Sequence, residues 1–254
     1  MPKILVTNDD GIHSEGIIAL ANALAEVAEI VVVAPAHEMS AASRSLTLTR
    51  PLRIDKIDER HFAVDGTPTD CVTLAMNKIL IDNPPDMVFS GINKGGNLGD
   101  DVTYSGTVAG ALEGSMYGLP SVALSLIGRG EFNFKYAANL AADLAGLILK
   151  SGLPLGTLLN VNIPPGEING IRYSRQGAKT LRPTIVEGTD PRKRSYYWIG
   201  EETPTWNDEH GTDYEAARQG LVSITPLRND LTDYRILEEL KNGLWDVAPK
   251  EHLK

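Results

Sequence analysis

The chain has 254 residues and is 42% hydrophobic, enough to bury one large α/β core or a core with a smaller attached unit. Its net charge of −9 excludes a generic nucleic-acid binder, because the phosphate backbone is repelled wherever no basic patch or metal intervenes. Cys71 is the single cysteine, which excludes an intrachain disulfide, and no stretch reaches the roughly 18 consecutive apolar residues of a membrane span.

The first expected element is a strand over residues 4–7, an apolar run that ends in Asn8-Asp9-Asp10-Gly11. Two carboxylates at the carboxyl end of a buried strand lie where open α/β sheets place their sites, and such a pair calls for a cation. Neighbouring strand residues point to opposite faces, so Asp9 and Asp10 converge on one ion only if the backbone turns there, which Gly11 permits. A helix follows over 16–28, with Ile17, Leu20, Ala21, Leu24 and Ala28 at helical spacing. A strand over 30–34 then leads through Pro35 into a polar loop where Ser40, Ser43 and Ser45 are equally able to offer a hydroxyl. Residues 46–64 alternate apolar and polar around a charged turn at 58–60, the pattern of an antiparallel hairpin attached to the sheet. Thr67, Pro68 and Asp70 mark a helix start that carries Cys71 inward.

A buried strand over 87–90 opens into the glycine-rich loop 91–99, which holds Asn93 and Asn97. Ser105, Gly106 and Thr107 then lead a helix over 107–117, whose free N–H groups and positive dipole end form an anion seat; the two hydroxyls add donors. Strands over 121–126 and 158–163 flank a helix over 134–150 that stops at Gly152. Strand, helix, strand in sequence implies right-handed crossovers and a doubly wound, mainly parallel sheet. Residues 172–226 carry Tyr196, Tyr197, Trp198 and Trp206 among Gly, Pro and charge, and read as irregular β structure that meets another subunit. The expected division is a core over 1–171 with the inserted hairpin, then a C-terminal segment over 172–254.

The strand-end loops together supply two carboxylates, a serine hydroxyl and an asparagine carbonyl, a hard oxygen set suited to Mg²⁺ or Mn²⁺. Such an ion polarises a phosphoryl oxygen and activates a bound water, while the helix N-terminus stabilises charge on the phosphate. This is an apparatus for phosphate-ester hydrolysis by direct water attack.

Asn8-Asp9-Asp10-Gly11, Ala34-Pro35 with Ser40, Gly66-Thr67-Pro68-Thr69-Asp70-Cys71, Ser90-Gly91-Ile92-Asn93, Asn97-Leu98-Gly99-Asp100-Asp101, Tyr104-Ser105-Gly106-Thr107-Val108, Asn160-Val161-Asn162-Ile163-Pro164 and the run from Gly220 to Leu227 occur in this order. The ordered series resembles the SurE (survival protein E) family of metal-dependent 5'/3'-nucleotidases. The resemblance implies a Rossmann-like core, one divalent metal ion per subunit, and hydrolysis of nucleoside 5'- and 3'-monophosphates, with short polyphosphate as a further substrate. It also implies Asp9, Asp10, Ser40 and Asn93 as metal ligands, and Asn97, Ser105, Gly106 and Thr107 as the phosphate cradle. Asp9, Asn97, Ser105 and Thr107 would then act in catalysis. A homodimer or homotetramer would form by exchange of the C-terminal segment, whose terminal helix packs back on the core. Residues 36–39, Ala-His-Glu-Met, depart from the family in lacking basic side chains before Ser40.

The alternative of another class is a nucleotide-binding regulatory module without chemistry. His13 stands near the carboxylates as a possible proton shuttle, Asp100 and Asp101 form a second acidic pair, and a basic cluster from Arg172 through Arg175, Lys179, Arg182, Arg192 and Lys193 to Arg194 would steer anions or face water. The opening Met-Pro-Lys runs into a short strand instead of a secretory segment, so a cytoplasmic protein without membrane or nucleic acid polymer as partner is expected.

Overall fold

The computed structural model describes residues 1–180, 183–201, 205–206 and 210–245; Arg182 and residues 246–254 lie outside the described residues. The elements are β1 (Lys3–Thr7), α1 (Glu15–Leu24), β2 (Glu29–Pro35), β3 (Ile54–Lys56), β4 (His61–Val64), α2 (Pro68–Leu74), β5 (Met87–Lys94), α3 (Gly106–Met116), β6 (Ser121–Leu126), α4 (Lys135–Ser151), β7 (Thr157–Ile163) and β8 (Ile171–Tyr173). Beyond them come β9 (Lys179–Thr180), β10 (Pro183–Thr189), β11 (Ser195–Glu201), β12 (Thr205–Trp206), α5 (Asp213–Arg218), β13 (Val222–Arg228) and α6 (Tyr234–Lys241).

Nine strands form one sheet in the order β3-β4-β2-β1-β5-β6-β7-β13-β8. The six from β4 to β7 are mutually parallel, while β3 and β13 run against their neighbours β4 and β7. Alternation along each strand sends side chains to opposite faces. Ile4, Val6, Ile30, Val32, Phe89, Leu124 and Val161 pack with α1 and α4 on one face. Leu5, Val31, Val33 and Val88 pack with α2, and Ala123 and Leu158 with α3, on the other. Both faces are covered, so the sheet is doubly wound and Rossmann-like, and the parallel strands read as continuous apolar runs for that reason.

Two helices lie close to the sheet through glycine. Gly106, Gly110 and Gly114 line one side of α3; a Cβ at Gly110 would stand 2.9 Å from Ser90 Oγ and Thr7 Cγ2, and one at Gly114 2.6 Å from Val88 Cγ2. In α1, a Cβ at Gly16 would stand 2.0 Å from the carbonyl oxygen of Ile92.

The expected elements are present with shifted bounds. α1 ends at Leu24 instead of 28, where Val27 N and Ala28 N both donate to Leu24 O and turn the chain into β2. β5 continues four residues past Ser90 and so carries Asn93 at its end. The hairpin is confined to β3 and β4, and residues 46–52 are not strand. Their backbone partners are side chains: Thr47 N and Oγ1 donate to Asp70 at 2.9 and 2.6 Å, and Thr67 Oγ1 donates to Ser45 O at 2.7 Å. The same Asp70 and Thr67 cap α2 reciprocally.

The sheet does not stop at residue 171, since β8 and β13 complete it from within the C-terminal segment. That segment also holds a short helix, α5, which Thr212 caps through Glu215 N. Its aromatic stretch forms the hairpin β10–β11, with Ile185, Val186, Tyr196, Tyr197, Trp198 and Ile199 all exposed. The side chain of Trp206 lies outside the described residues. A terminal helix is present as α6, and none of its residues is buried. Among the described residues no helix is long and apolar enough to cross a membrane.

Gly16→Ala forces α1 off the end of β5 and is expected to destabilise the protein by about 3 kcal/mol or more. A thermal melt checks this, with an expected fall in midpoint of about 6–12 °C.

Candidate active site

The carboxyl ends of β1, β2 and β5 and the start of α3 meet at one place. At the end of β1, Gly11 takes a φ of 95° and turns the chain, and Asn8 Nδ2 holds the turn by donating to Gly11 O at 3.0 Å and Ser14 Oγ at 2.8 Å. The loop after β2 is pinned over it, because Met39 N donates to Asp9 O at 2.8 Å. Its far end is tied to the loop before α3, where Ser43 N donates to Tyr104 O at 3.1 Å and Ser43 Oγ to Thr103 O at 2.7 Å. The result is a cavity of about 480 Å³ lined by Asp9, Asp10, Ser40, Asn93, Asn97 and Ser105, with Glu38, Lys94, Asp101 and Tyr104 among its other walls. All four expected cation ligands therefore face one space, although they are up to 84 positions apart in sequence.

Asp9 is 6% exposed, and burial raises its carboxyl from 3.8 to about 6. The Thr107 hydroxyl donates to Asp9 Oδ1 at 2.5 Å and draws the value down, and Asp10 pushes it back up. The main-chain N–H of Thr107 also favours the charged carboxylate, to a smaller extent. Gly106 makes this approach possible, since a Cβ there would stand 2.8 Å from both Asp9 Cβ and Oδ2. The protein's own carboxylate thus sits at this helix N-terminus, and Thr107, expected to hold phosphate, is buried with its hydroxyl donating to Asp9. Burial raises Asp10 too, with Lys94 N donating to its Oδ2 at 3.4 Å and Glu38 adding like charge.

The remaining oxygens are oriented. Ser40 Oγ donates to Glu38 Oε1 at 2.6 Å, which leaves the hydroxyl lone pairs for a cation; Ser43 and Ser45 donate in the same way, to Thr103 O and Ala42 O, but do not line the cavity. Asn93 Nδ2 donates to Gly95 O at 2.9 Å, so its Oδ1 is the atom left to coordinate. Among the described residues no group of three or more His, Cys, Asp and Glu side chains gathers in metal-ligand fashion. Two half-compensated carboxylates with a hydroxyl and an amide oxygen fit a hard divalent cation such as Mg²⁺ or Mn²⁺ and do not fit a thiolate- or imidazole-seeking metal.

Asn97 is held from behind the cavity. Its Nδ2 donates to Ser125 Oγ at 2.8 Å, and its main chain is clasped by Asn160 and Asn162. Two residues on, Gly99 N donates to Asp213 Oδ2 at 2.9 Å, and Gln176 Nε2 to Gly99 O at 2.8 Å. Asn160 and Asn162 lie in one of the motifs quoted above, while Ser125, Gln176, Asp213 and Glu38 carry none, and sequence reasoning assigned a role to none of the six. His13 is exposed and is not among the cavity walls, which include Lys94 instead. Cys71 is fully buried, which pushes its thiol well above the usual range and removes it from chemistry. Arg172 pairs with Glu215 and Arg194 with Asp190, and neither lines the cavity.

A raised carboxyl pKa contributes stability below its unfolded value and loses it as pH rises through its folded value, here between about 4 and about 6. In EDTA, Asp9→Asn is therefore expected to match the wild type below pH 4 and to exceed it by roughly 3 kcal/mol above pH 6.5. Chemical denaturation across this range is the check; a constant difference between the two proteins contradicts it.

A family model described as survival protein SurE matches residues 4–183. The chain is 49% identical over 250 residues to the 5'-nucleotidase SurE of Geobacter sulfurreducens, covering 97% of this chain and 94% of that one. It is 50% identical over 245 residues to the 5'-nucleotidase SurE of Moorella thermoacetica, covering 93% and 94%. The crystal structure of the SurE protein from Aquifex aeolicus superimposes with a TM-score of 0.84 at 46% identity, covering 95% of this chain and 99% of that one. With five of the motifs quoted above gathered around one cavity and likeness along nearly its whole length, the chain belongs to the SurE family.

Proposed function

We propose that the protein is a divalent-metal-dependent phosphomonoesterase that hydrolyses nucleoside 5'- and 3'-monophosphates to nucleoside and phosphate, with short polyphosphate as a further substrate. The observation that carries this reading is the single cavity in which Asp9, Asp10, Ser40 and Asn93 present oxygens on one side and Asn97 and Ser105 present polar groups on the other. The names of the relatives support the same reading.

Asp9, Asp10, Ser40 Oγ and Asn93 Oδ1 would hold Mg²⁺ or Mn²⁺. When bound, such an ion neutralises phosphate charge and lowers the pKa of water in its shell. The protein's own groups do the rest. Thr107 and the start of α3 fix the orientation of Asp9 and keep its carboxylate in place at neutral pH. Ser105 caps α3 by accepting from Val108 N at 3.0 Å, which leaves its O–H free to donate to a phosphate oxygen. The N–H of Gly106 adds a main-chain donor, and the second hydrogen on Asn97 Nδ2 faces the same oxygens. These donors are preorganised where charge develops on the phosphoryl group. Lys94, ion-paired with Glu15 at 3.0 Å and lining the cavity, draws anions in. Exposed apolar side chains on both faces of β10–β11 support a homodimer or homotetramer in which a second subunit covers the hairpin, and this reading includes a cytoplasmic location.

Phosphate release from 5'- and 3'-monophosphates and tripolyphosphate, with Mg²⁺, Mn²⁺ or EDTA, tests the proposal. Release is expected with either ion and none in EDTA. Asp9→Asn is expected to lower kcat/KM by about 100-fold or more while the protein remains folded, because it removes a charged ligand and the anion that α3 seats. Equal rates with and without chelator would refute the reading.

A further inference from the structure

The interior of the sheet beneath the active-site loop is polar where it should be apolar. Ser125 on β6, Asn160 and Asn162 on β7 and Ser223 and Thr225 on β13 are each at most 1% exposed. They lie on one face: Asn162 is registered between Ser125 and Ser223, and Asn160 is paired with Thr225. Farther down the same face the pairs are the apolar Leu158 and Leu227. Ser174 closes the row, 2.8 Å from Ser223 Oγ and 2.9 Å from Thr225 Oγ1. Buried polar side chains in a sheet are unfavourable unless each finds a partner, so a row of them needs a reason in what it holds.

What it holds is Asn97. Asn162 clasps the main chain of that residue on both sides, its Oδ1 accepting from Asn97 N at 2.7 Å and its Nδ2 donating to Asn97 O at 3.0 Å. Asn160 Nδ2 donates to the same carbonyl at 2.8 Å, and Ser125 Oγ fixes the carboxamide. The loop carrying Asn97 has glycine at 95, 96 and 99 and no ladder or helix of its own between residues 95 and 98. These side-chain bonds replace the missing secondary structure. One hydrogen on Asn97 Nδ2 is spent on Ser125, which orients the other.

We infer that Ser125, Asn160 and Asn162 are positioning residues: they lock the Asn97 carboxamide toward the bound phosphate, and the cation pole of the site is built independently of them. This rests on the phosphate role proposed above for Asn97. The division is visible in the side-chain bonding: the side chains of Asp9, Asp10, Ser40 and Asn93 make no hydrogen bond to those of Ser125, Asn160 or Asn162 among the described residues, and Asn93 and Ser125 meet only as neighbours in the β5–β6 ladder.

Asn162→Ala would leave the buried Asn97 N–H unpaired and remove one of the two donors to Asn97 O, which endangers the fold, so Ser125→Ala in the full chain is the deciding variant, with Ser125→Thr as its conservative control. Three quantities are read: the affinity for inorganic phosphate by calorimetry with Mn²⁺ present, the affinity for Mn²⁺ alone, and kcat and KM for a nucleoside monophosphate. Ser125→Ala is expected to weaken phosphate roughly tenfold and to lower kcat/KM by at least as much, while Mn²⁺ affinity stays within about twofold. Ser125→Thr, which keeps the hydroxyl, is expected to restore most of both. Phosphate affinity and kcat/KM within about twofold of wild type in a folded Ser125→Ala protein would overturn the inference, as would equal losses of phosphate and Mn²⁺ binding. A wild-type protein that turns over no nucleotide sinks the proposed activity instead, and the phosphate-affinity comparison still decides the role of Ser125.

Discussion

The architecture depends on keeping one carboxylate almost out of water. Asp9 sits at the end of the central strand, 6% exposed, with a hydroxyl, a helix N-terminus and a second carboxylate as its company. An ionised group in such a place is stabilised only partly by the two Thr107 donors, and the remaining imbalance is the attraction available to a dication. The closeness of α3 is the condition for this. Without the glycine side of that helix, at 106, 110 and 114, the helix would ride higher on β1 and β5, and Thr107 would not reach Asp9. Packing and electrostatics are therefore one constraint: the residues that let the helix down are the ones that hold the carboxylate up.

The parallel core was legible because burial on both faces leaves an unambiguous trace, the short apolar runs of β1, β2, β5, β6 and β7. Helices α1 and α4 were legible by spacing, and their ends less so, since the stop of α1 depends on backbone bonds to Leu24 that no residue type announces. Residues 46–52 alternate like a strand yet are bound by the side chains of Asp70 and Thr67, a tertiary capture that periodicity cannot reveal. Of the site, the Asp9-Asp10 turn and the amides of loop 91–99 were visible as chemistry. The choice of Ser40 among three serines followed from family resemblance, and its place in the cavity wall, which Ser43 and Ser45 do not share, appears only in three dimensions. The bond from Thr107 to Asp9 was not legible, because a helix N-terminus attracts any anion and sequence alone does not say that a carboxylate ninety-eight residues upstream reaches it.

The C-terminal segment is less separable from the core than its composition implies. β13 is inserted between β7 and β8, and Asp213 at the start of α5 accepts from Gly99 N and Gly177 N, each at 2.9 Å. Burial raises the carboxyl of Asp213, and its main-chain donors oppose that rise. The base of the hairpin-bearing segment is thereby tied to the loop that carries Asn97, so whatever covers the exposed aromatics on β11 acts on a body already joined to the site.

The two poles of the cavity draw on different parts of the sheet. The acidic pole is built from chain turns after β1, β2 and β5, where adjacent parallel strands end together. The opposite pole is a loop with little structure of its own, seated on side chains from β6 and β7. A rigid sheet fixes the separation of the poles, because strands sharing a ladder cannot slide without losing register. Fixed separation suits a site that must engage a cation and a phosphoryl group at once, since a misplacement of about 1 Å in either costs about 100-fold in rate. Polar residues under the loop are then the natural solution: an apolar floor would bury the same area but would leave the glycine-rich chain above it free to drift.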